Sequence, residues 1–181
     1  MTISIANFKA AFNGGTRQNR FVVQGTIPYG GGDFSKFHIL VTTMPAVVST
    51  KISYDYFGRK AHYPGEKQYA PWSIKVLDDT GTNNLWKKFS NWQNNINKHV
   101  ENTGALITPN SDYKAYGWTI KHLNLNGTES NPGPHKQFIL DGCWPKTIDA
   151  ISFNMGNANA FSDFNVVFVF DSIRIVGIAE P

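Results

Sequence analysis

Cysteine is almost missing from this chain. Cys143 stands alone in 181 residues, so no internal disulfide and no cysteine zinc cluster can form. Charge is also scarce: Lys, Arg, Asp and Glu make up 17% of the residues, below the usual quarter, and the net charge is only +4. So mild an excess is explained by solvation and needs no acidic partner. No apolar run of roughly 18 residues occurs, so no membrane anchor is expected. No basic leader with a long apolar stretch opens the sequence, and the expectation is a soluble chain, cytosolic when made. His38, His62, His99, His122 and His135 are scattered without metal-site spacing. No Gly-x-Ser-x-Gly, Walker loop or dinucleotide fingerprint is present. No cofactor and no metal are therefore expected. Cys143, between Gly142 and Trp144, is expected to be a buried structural thiol, because no local motif supplies a base. Asp78 and Asp79 are neighbours at a strand end and point apart, which suits a terminator better than a paired acid.

What the chain does have is apolar and aromatic residues, 41% and 14% of the total, enough to exclude disorder. One domain over 1–181 is the expectation, since the length suffices for one core and no repeat or linker interrupts it. Its centre runs from Gly58 to Trp92. Trp72, Ile74 and Val76 alternate with Ser73 and Lys75, the pattern of a strand with one apolar face. After Asp78-Asp79-Thr80-Gly81 the period changes. Leu85, Phe89, Trp92 and Ile96 fall on one helical stripe, and a helix is expected over 83–98. Lys87, Lys88, Asn91, Asn94 and Asn95 take its solvated faces, and Thr82, Asn83 or Asn84 its cap. Such a helix is marginal alone, so its stripe must pack on the sheet.

The remaining segments read mostly as strands. Ile5, Phe8 and Phe12 have helical spacing within an N-terminal arm, 1–16, and need a cover from this chain or a neighbour. Phe21–Gly25 is a first strand, and Gly30-Gly31-Gly32-Asp33 is expected to turn it into a hairpin with Phe37–Val41. Residues 49–71 carry Ile52, Tyr54, Tyr56, Tyr63 and Tyr69 around Gly58-Arg59-Lys60 and a turn at Pro64-Gly65-Glu66-Lys67. They form a hairpin with both faces occupied, whose rings either protrude as a contact surface or cover the domain's own core. Further strands are expected at Tyr116–Lys121, Phe138–Leu140, Ile151–Met155 and Phe164–Asp171, the last apolar on both faces where Val167 and Val169 fall. Asn102 to Ser111 reads as a polar loop, Asn124 to Pro134 as a long tip, and 172–181 as an apolar C-terminal extension. The structural core is expected to include Trp72, Ile74, Val76, Leu85, Phe89, Trp92, Trp144, Phe164, Val166 and Phe168. The fold class is mainly β with one main helix: about seven or eight antiparallel strands closing as a barrel or sandwich.

Five features in order resemble one family. Arg17, Asn19 and Phe21 lead into the first strand, and Met44-Pro45-Ala46 follows. Then come the hairpin, strand and helix ending Lys88-Phe89-Ser90-Asn91-Trp92-Gln93; next Gly142-Cys143-Trp144-Pro145; last, the alternating strand before Asp171. Together they resemble the tail tube protein of contractile-tailed bacteriophages, related to type VI secretion tube rings. The likeness runs from about Arg17 to Asp171. The long tip and the tail after Asp171 depart from the pattern.

The resemblance implies a non-enzymatic virion protein, assembled in the host cytoplasm, whose hexameric rings pool their strands into one barrel and stack into a tube. The implied partners are copies of itself, the tail sheath protein, and baseplate and tail-terminator proteins. Genomic DNA passes through the lumen without specific binding. A basic lumen would retard it, since lysine and arginine bind phosphates, so a neutral or acidic inner face is expected. By the same resemblance, Tyr56, Gly58, Arg59, Lys60, Glu66 and Lys67 of the hairpin, with Phe8 and Phe12 of the arm, are candidates for ring-stacking and inter-subunit contact. Rival readings keep the fold in another assembly (a tube initiator, a phage-like bacteriocin tube, a secretion ring). Others are a nucleic-acid-binding β-barrel using tyrosines and lysines, or a hydrolase using Cys143 or a histidine.

Overall fold

The computed structural model describes residues 4–12, 15–33, 38–81, 84–98, 100–101, 103–104, 113–125, 129, 134–156 and 159–176. His99, the Asn126-Gly127 turn with most of the 124–134 tip, most of the polar loop from Asn102 to Ser111, and the extension from Gly177 onward lie outside the described residues. The elements are α1 (Ile5–Ala11), β1 (Phe21–Gln24), β2 (Thr26–Ile27), β3 (Gly32–Asp33), β4 (Ile39–Thr42), β5 (Val47–Tyr56), β6 (Arg59–Tyr69), β7 (Trp72–Leu77), α2 (Leu85–Ile96), β8 (Asn97–Lys98), β9 (Thr103–Gly104), β10 (Trp118–His122), β11 (Lys136–Asp141), β12 (Trp144–Ile148), β13 (Asp163–Val169) and β14 (Ser172–Ile175). Two four-stranded antiparallel sheets result, in the orders β1-β10-β11-β14 and β12-β13-β7-β4.

Two long ribbons build these sheets. In one, residues 136–148 run antiparallel to 163–175, and the register survives the passage between sheets: Asp141 lies opposite Ser172, then Trp144 opposite Val169. The ribbon bends at Gly142, whose φ of +72° suits glycine, and a Cβ there would come within 2.2 Å of Asp171 Oδ2. Around this corner Lys114 donates to Asp171 at 2.6 Å, Arg174 Nε to Asp141 at 2.9 Å, and the Gly117 amide to Asp141 Oδ1 at 3.0 Å. The Gly-Cys-Trp-Pro step is thus a sheet corner. In the other ribbon β4 and β7 pair inside the second sheet, the Ala70 amide donates to the Ala46 carbonyl at 3.1 Å, and pairing continues from Val47 opposite Tyr69 into β5 and β6. Beyond that point the ribbon pairs only with itself.

The alternation in β7 and β13 puts Trp72, Ile74, Val76, Phe164, Val166 and Phe168 inside, each at most 2% exposed. Leu85, Phe89 and Trp92 of α2 are buried too, and Ile96 is half-buried against them. Phe89 stands edge-on to Phe164 and Phe168, and Trp92 packs on Trp118 and Phe168. Each large ring so buried is worth about 1.5–3 kcal/mol, and this contact makes a short helix stable. The three buried indoles all find acceptors: Trp72 on Thr42 Oγ1 at 2.9 Å, Trp92 on the Tyr113 carbonyl at 2.7 Å, Trp118 on the Thr26 carbonyl at 3.2 Å. Asn84 caps α2 by accepting the Lys87 amide at 2.8 Å. The helix lies beside β12, where Gln93 donates to the Lys146 carbonyl at 3.4 Å, and closes that flank of the sandwich.

Several expectations need correction. β1 does not pair with the strand after the glycine turn. It pairs with β10, Phe21 opposite His122, while the glycines close a short β2–β3 ladder. The break falls at Gly25, where the Trp118 indole leaves no room for a Cβ, and buried Ile27 anchors the detour. Pro64-Gly65-Glu66-Lys67 is no turn: Gly65 and Glu66 face Thr50 as a bulge in β6, with Thr50 Oγ1 donating to the Glu66 carbonyl at 3.0 Å. Residues 151–155 form no strand; Phe153 and Met155 are 87% and 105% exposed. The strand is instead β12, where Pro145 is tolerated because the strand is an edge and its register shifts there. Tyr116 is exposed, cut off from β10 by Gly117 at φ +73°. Trp144 sits half-buried at the core's rim, and Val167 and Val169 are half-buried, so the second face of β13 is only partly covered.

Gly142→Ala should cost about 1–3 kcal/mol through backbone strain and collision with Asp171. Gly156→Ala, whose Cβ would meet only Asn154 Oδ1 at 3.4 Å, should stay within about 0.5 kcal/mol. Urea unfolding at matched protein concentration checks both; equal midpoints would contradict the corner's role.

Candidate assembly interface

Besides the exposed Phe153, Met155 and Phe161, three further surfaces leave apolar side chains in solvent. The first is the arm formed by β5 and β6, about 30 Å long at the rise of a β-strand. Residues opposite each other share a face, so Ile52 with Tyr63, Tyr54 with Ala61, and Tyr56 with Arg59 lie on one side. Lys51, Ser53, Asp55, Lys60, His62 and Pro64 take the other. The rings therefore gather on one face instead of two, and Ile52, Tyr54, Tyr56 and Tyr63 are all at least 57% exposed. Only Tyr69, at the root, reaches the core, against Phe170 at 5.6 Å. The arm thus protrudes and does not cover its own domain. A two-stranded ribbon with one bare apolar face is marginal in water by itself.

The arm's tip is strained. Phe57 and Gly58 both have positive φ, +46° and +75°, between the paired residues Tyr56 and Arg59. This is a two-residue primed turn, whose first position favours Asn or Asp. A phenylalanine there costs about 1–2 kcal/mol. The ring is 89% exposed and stands edge-on to Tyr56 at 4.6 Å. Gly58 thus sits at the turn and Arg59 and Lys60 just beyond it, whereas Glu66 and Lys67 lie at the bulge, far down the arm.

The second surface is α1. Ser4 caps it by accepting the Asn7 amide at 3.1 Å, and none of its residues is buried. Ile5, Phe8 and Phe12 are 76%, 61% and 54% exposed, and the two phenylalanines stack at 5.3 Å. The third surface is the flank away from α2. There β1 and β4 are both outer strands, and a groove of about 910 Å³ between them is lined by Phe21, Ile39, Leu40, Val41, Met44 and Ile120 among others. Leu40 and Val41 are 45% and 54% exposed on that edge.

Catalytic chemistry finds little support in the geometry. Cys143 is fully buried, and burial first, then the nearby Asp141 and Asp171 carboxylates, push its thiol up to about 12. It stays protonated and unreactive at neutral pH. His38 Nε2 lies 3.4 Å from Asp79 Oδ2, His62 Nδ1 is 3.2 Å from Ser53 Oγ, and His122 Nε2 is 3.0 Å from the Arg17 carbonyl. Asp79 accepts the Gly81 amide at 3.1 Å, an ordinary turn contact. Among the described residues no three His, Cys, Asp or Glu side chains gather as a metal site, and no helix is long and apolar enough to cross a membrane.

A family model described as phage tail tube protein matches residues 17–175. The chain belongs to the phage tail tube protein family. It is thereby a phage tail tube protein, part of the virion tail. The tail tube protein gp19 of Enterobacteria phage T4 is 25% identical over 164 residues, covering 89% of this chain and 93% of the relative. In solved structures, a chain of an extracellular contractile injection system's sheath–tube complex superposes with a TM-score of 0.61 at 16% identity, over 98% of this chain and 100% of that one. A chain of the anti-feeding prophage baseplate gives 0.61 at 12% identity, over 92% and 98%. These two likenesses establish the fold.

For this tube protein, reading the sequence alone missed Phe57. The signal was there: a lone X-Gly pair between two alternating runs forces its first residue into the left-handed region. Phe57→Asn should raise the stability of the dissociated subunit by about 1 kcal/mol. Thermal unfolding at low concentration reads this, and an unchanged midpoint would show that the turn holds no strain. A thiol reagent at pH 8 should label Cys143 only after unfolding; fast labelling of the native protein would reopen the nucleophile reading.

Proposed function

We propose that copies of this chain close into hexameric rings and that the rings stack head to tail into the inner tube of a contractile phage tail. The observation that carries this is the arm: a self-paired ribbon whose aromatic face no part of its own described chain covers. Within a ring, the bare β1/β4 flank meets a neighbour, so outer strands gain pairing partners and closure leaves none free. Between rings, the arm and α1 bury Ile52, Tyr54, Tyr56, Tyr63, Phe8 and Phe12 against the next layer. Arg59, Lys60, Glu66 and Lys67 supply polar contacts there. The sheath surrounds the tube, baseplate and terminator proteins cap its ends, and the genome leaves through the lumen without specific binding. The role is structural: no bond is made or broken, and rigidity is the required property.

Purified protein at high concentration should show rings and tubes by negative-stain microscopy. The pair Ile52→Lys and Tyr54→Lys should leave folded subunits, with unchanged circular dichroism, that close into rings but no longer stack into tubes. Wild-type protein that stays a single-copy particle under all native conditions would overturn the proposal.

A further inference from the structure

The second sheet has two unlike ends. At one, β5 and β6 leave as the arm beyond Ala46 and Ala70. At the other, Leu77 lies opposite Asp163 and Ile148 opposite Val166, so Asp78, Asp79 and Asp149 all emerge there. The chain between Ile148 and Asp163 turns at that far end, as does the approach to α2. A groove of about 540 Å³ opens beside it, lined by Trp86, Ser90, Gln93, Ile148, Ile151 and Phe153 with Asp149 and Ala150. Arm and groove thus point in opposite directions along the strands. That is the polarity of a heterologous contact, which repeats along a line and does not close on itself.

Their chemistry matches. The arm carries Lys51, Arg59, Lys60 and Lys67 against Asp55 and Glu66, an excess of positive charge; at the tip Lys60 lies opposite Asp55, whereas Arg59 lies opposite the neutral Tyr56. The far end carries four aspartates, Asp78, Asp79, Asp149 and Asp163: Asp163 is held by Lys75 at 3.0 Å, Asp79 faces His38 at 3.4 Å, and among the described residues the Asp149 carboxylate accepts from the neutral Asn165 side-chain amide at 3.0 Å. The β1/β4 groove is larger, but no carboxylate lines it, so Arg59 would meet no counter-charge there. A strained, exposed phenylalanine at the outermost point of the arm has no use within its own subunit.

Resting on the tube reading, we infer that Phe57 of one copy seats in the groove between α2 and residues 148–153 of the next copy along the tube, with Arg59 facing Asp149. Phe57 acts as the buried aromatic anchor and the charges at its rim set orientation. Phe153, 87% exposed in the free subunit, covers the inserted ring.

The full chain carrying Phe57→Cys and Ala150→Cys tests this, both sites being exposed and Cys143 being buried. Oxidised tubes should give a ladder of disulfide-linked multimers on a non-reducing gel. Reductant should collapse it, and neither single variant should show it. Asp149→Lys should weaken assembly, and adding Arg59→Glu should restore it. Tubes that form without the ladder, or that cross-link instead through Phe57→Cys with Thr43→Cys in the β1/β4 groove, would overturn the docking while leaving the tube intact. Absence of any ring or tube from the wild-type protein under the same conditions, seen by microscopy, would overturn the tube reading and the docking together.

Discussion

An outer strand of a β-sheet turns half of its amides and carbonyls away from its neighbour, and those groups must be paired by water or by protein. In this chain β1, β14, β12 and β4 are all in that position. They are not equally exposed. β12 is broken by Pro145 and a register shift and flanked by α2, the usual ways of blunting an edge. β4 is short and irregular too, yet it displays Leu40 and Val41 to solvent beside the open groove. An edge that is bare and apolar is an aggregation hazard unless a defined partner covers it. The proposed ring closure would remove the hazard by making the partner another copy.

The interior supports that arrangement by being stiff. Trp72, Phe89, Trp92, Trp118, Phe164 and Phe168 interlock from both sheets and α2, and each buried indole is hydrogen-bonded. One ribbon passes unbroken from sheet to sheet through the Gly142 corner, so the two layers are held at a fixed angle by covalent continuity. From this rigid block the arm and α1 project with their apolar residues outward. The exposed apolar residues of the arm tip and of α1 are a set separate from the core, which lets the subunit fold before its partners arrive.

The elements whose periodicity is strong and whose contacts are near in sequence were legible. Trp72-Ile74-Val76, the Leu85–Ile96 stripe and the Phe164–Phe168 alternation became β7, α2 and β13, and the long tyrosine-rich hairpin is real. Pairings between distant segments were not legible. Nothing local announces that Phe21 lies opposite His122, whereas the nearby glycine turn advertises a hairpin the tertiary structure overrides. The alternation Ile151, Phe153, Met155 misled because only Ile151 packs against the core while Phe153 and Met155 face solvent, and apolar spacing cannot tell a covered side chain from an exposed one. The two-residue turn at Phe57 and Gly58 pairs Ile52, Tyr54 and Tyr56 with odd-numbered residues of β6, so Tyr54, Tyr56 and Tyr63 share one face, and the one-residue bulge at Gly65 and Glu66 then carries Tyr69 to the other.

Amide hydrogen exchange, compared between dissociated subunits and assembled protein, addresses the central claim most directly. Protection should rise in Phe21–Gln24 and Ile39–Thr42 on assembly, because their outward backbone groups gain partners, while β7 and β13 stay protected in both states. Equal exchange of those two outer strands before and after assembly would mean that they are not completed by other copies, and the account would fail at its foundation.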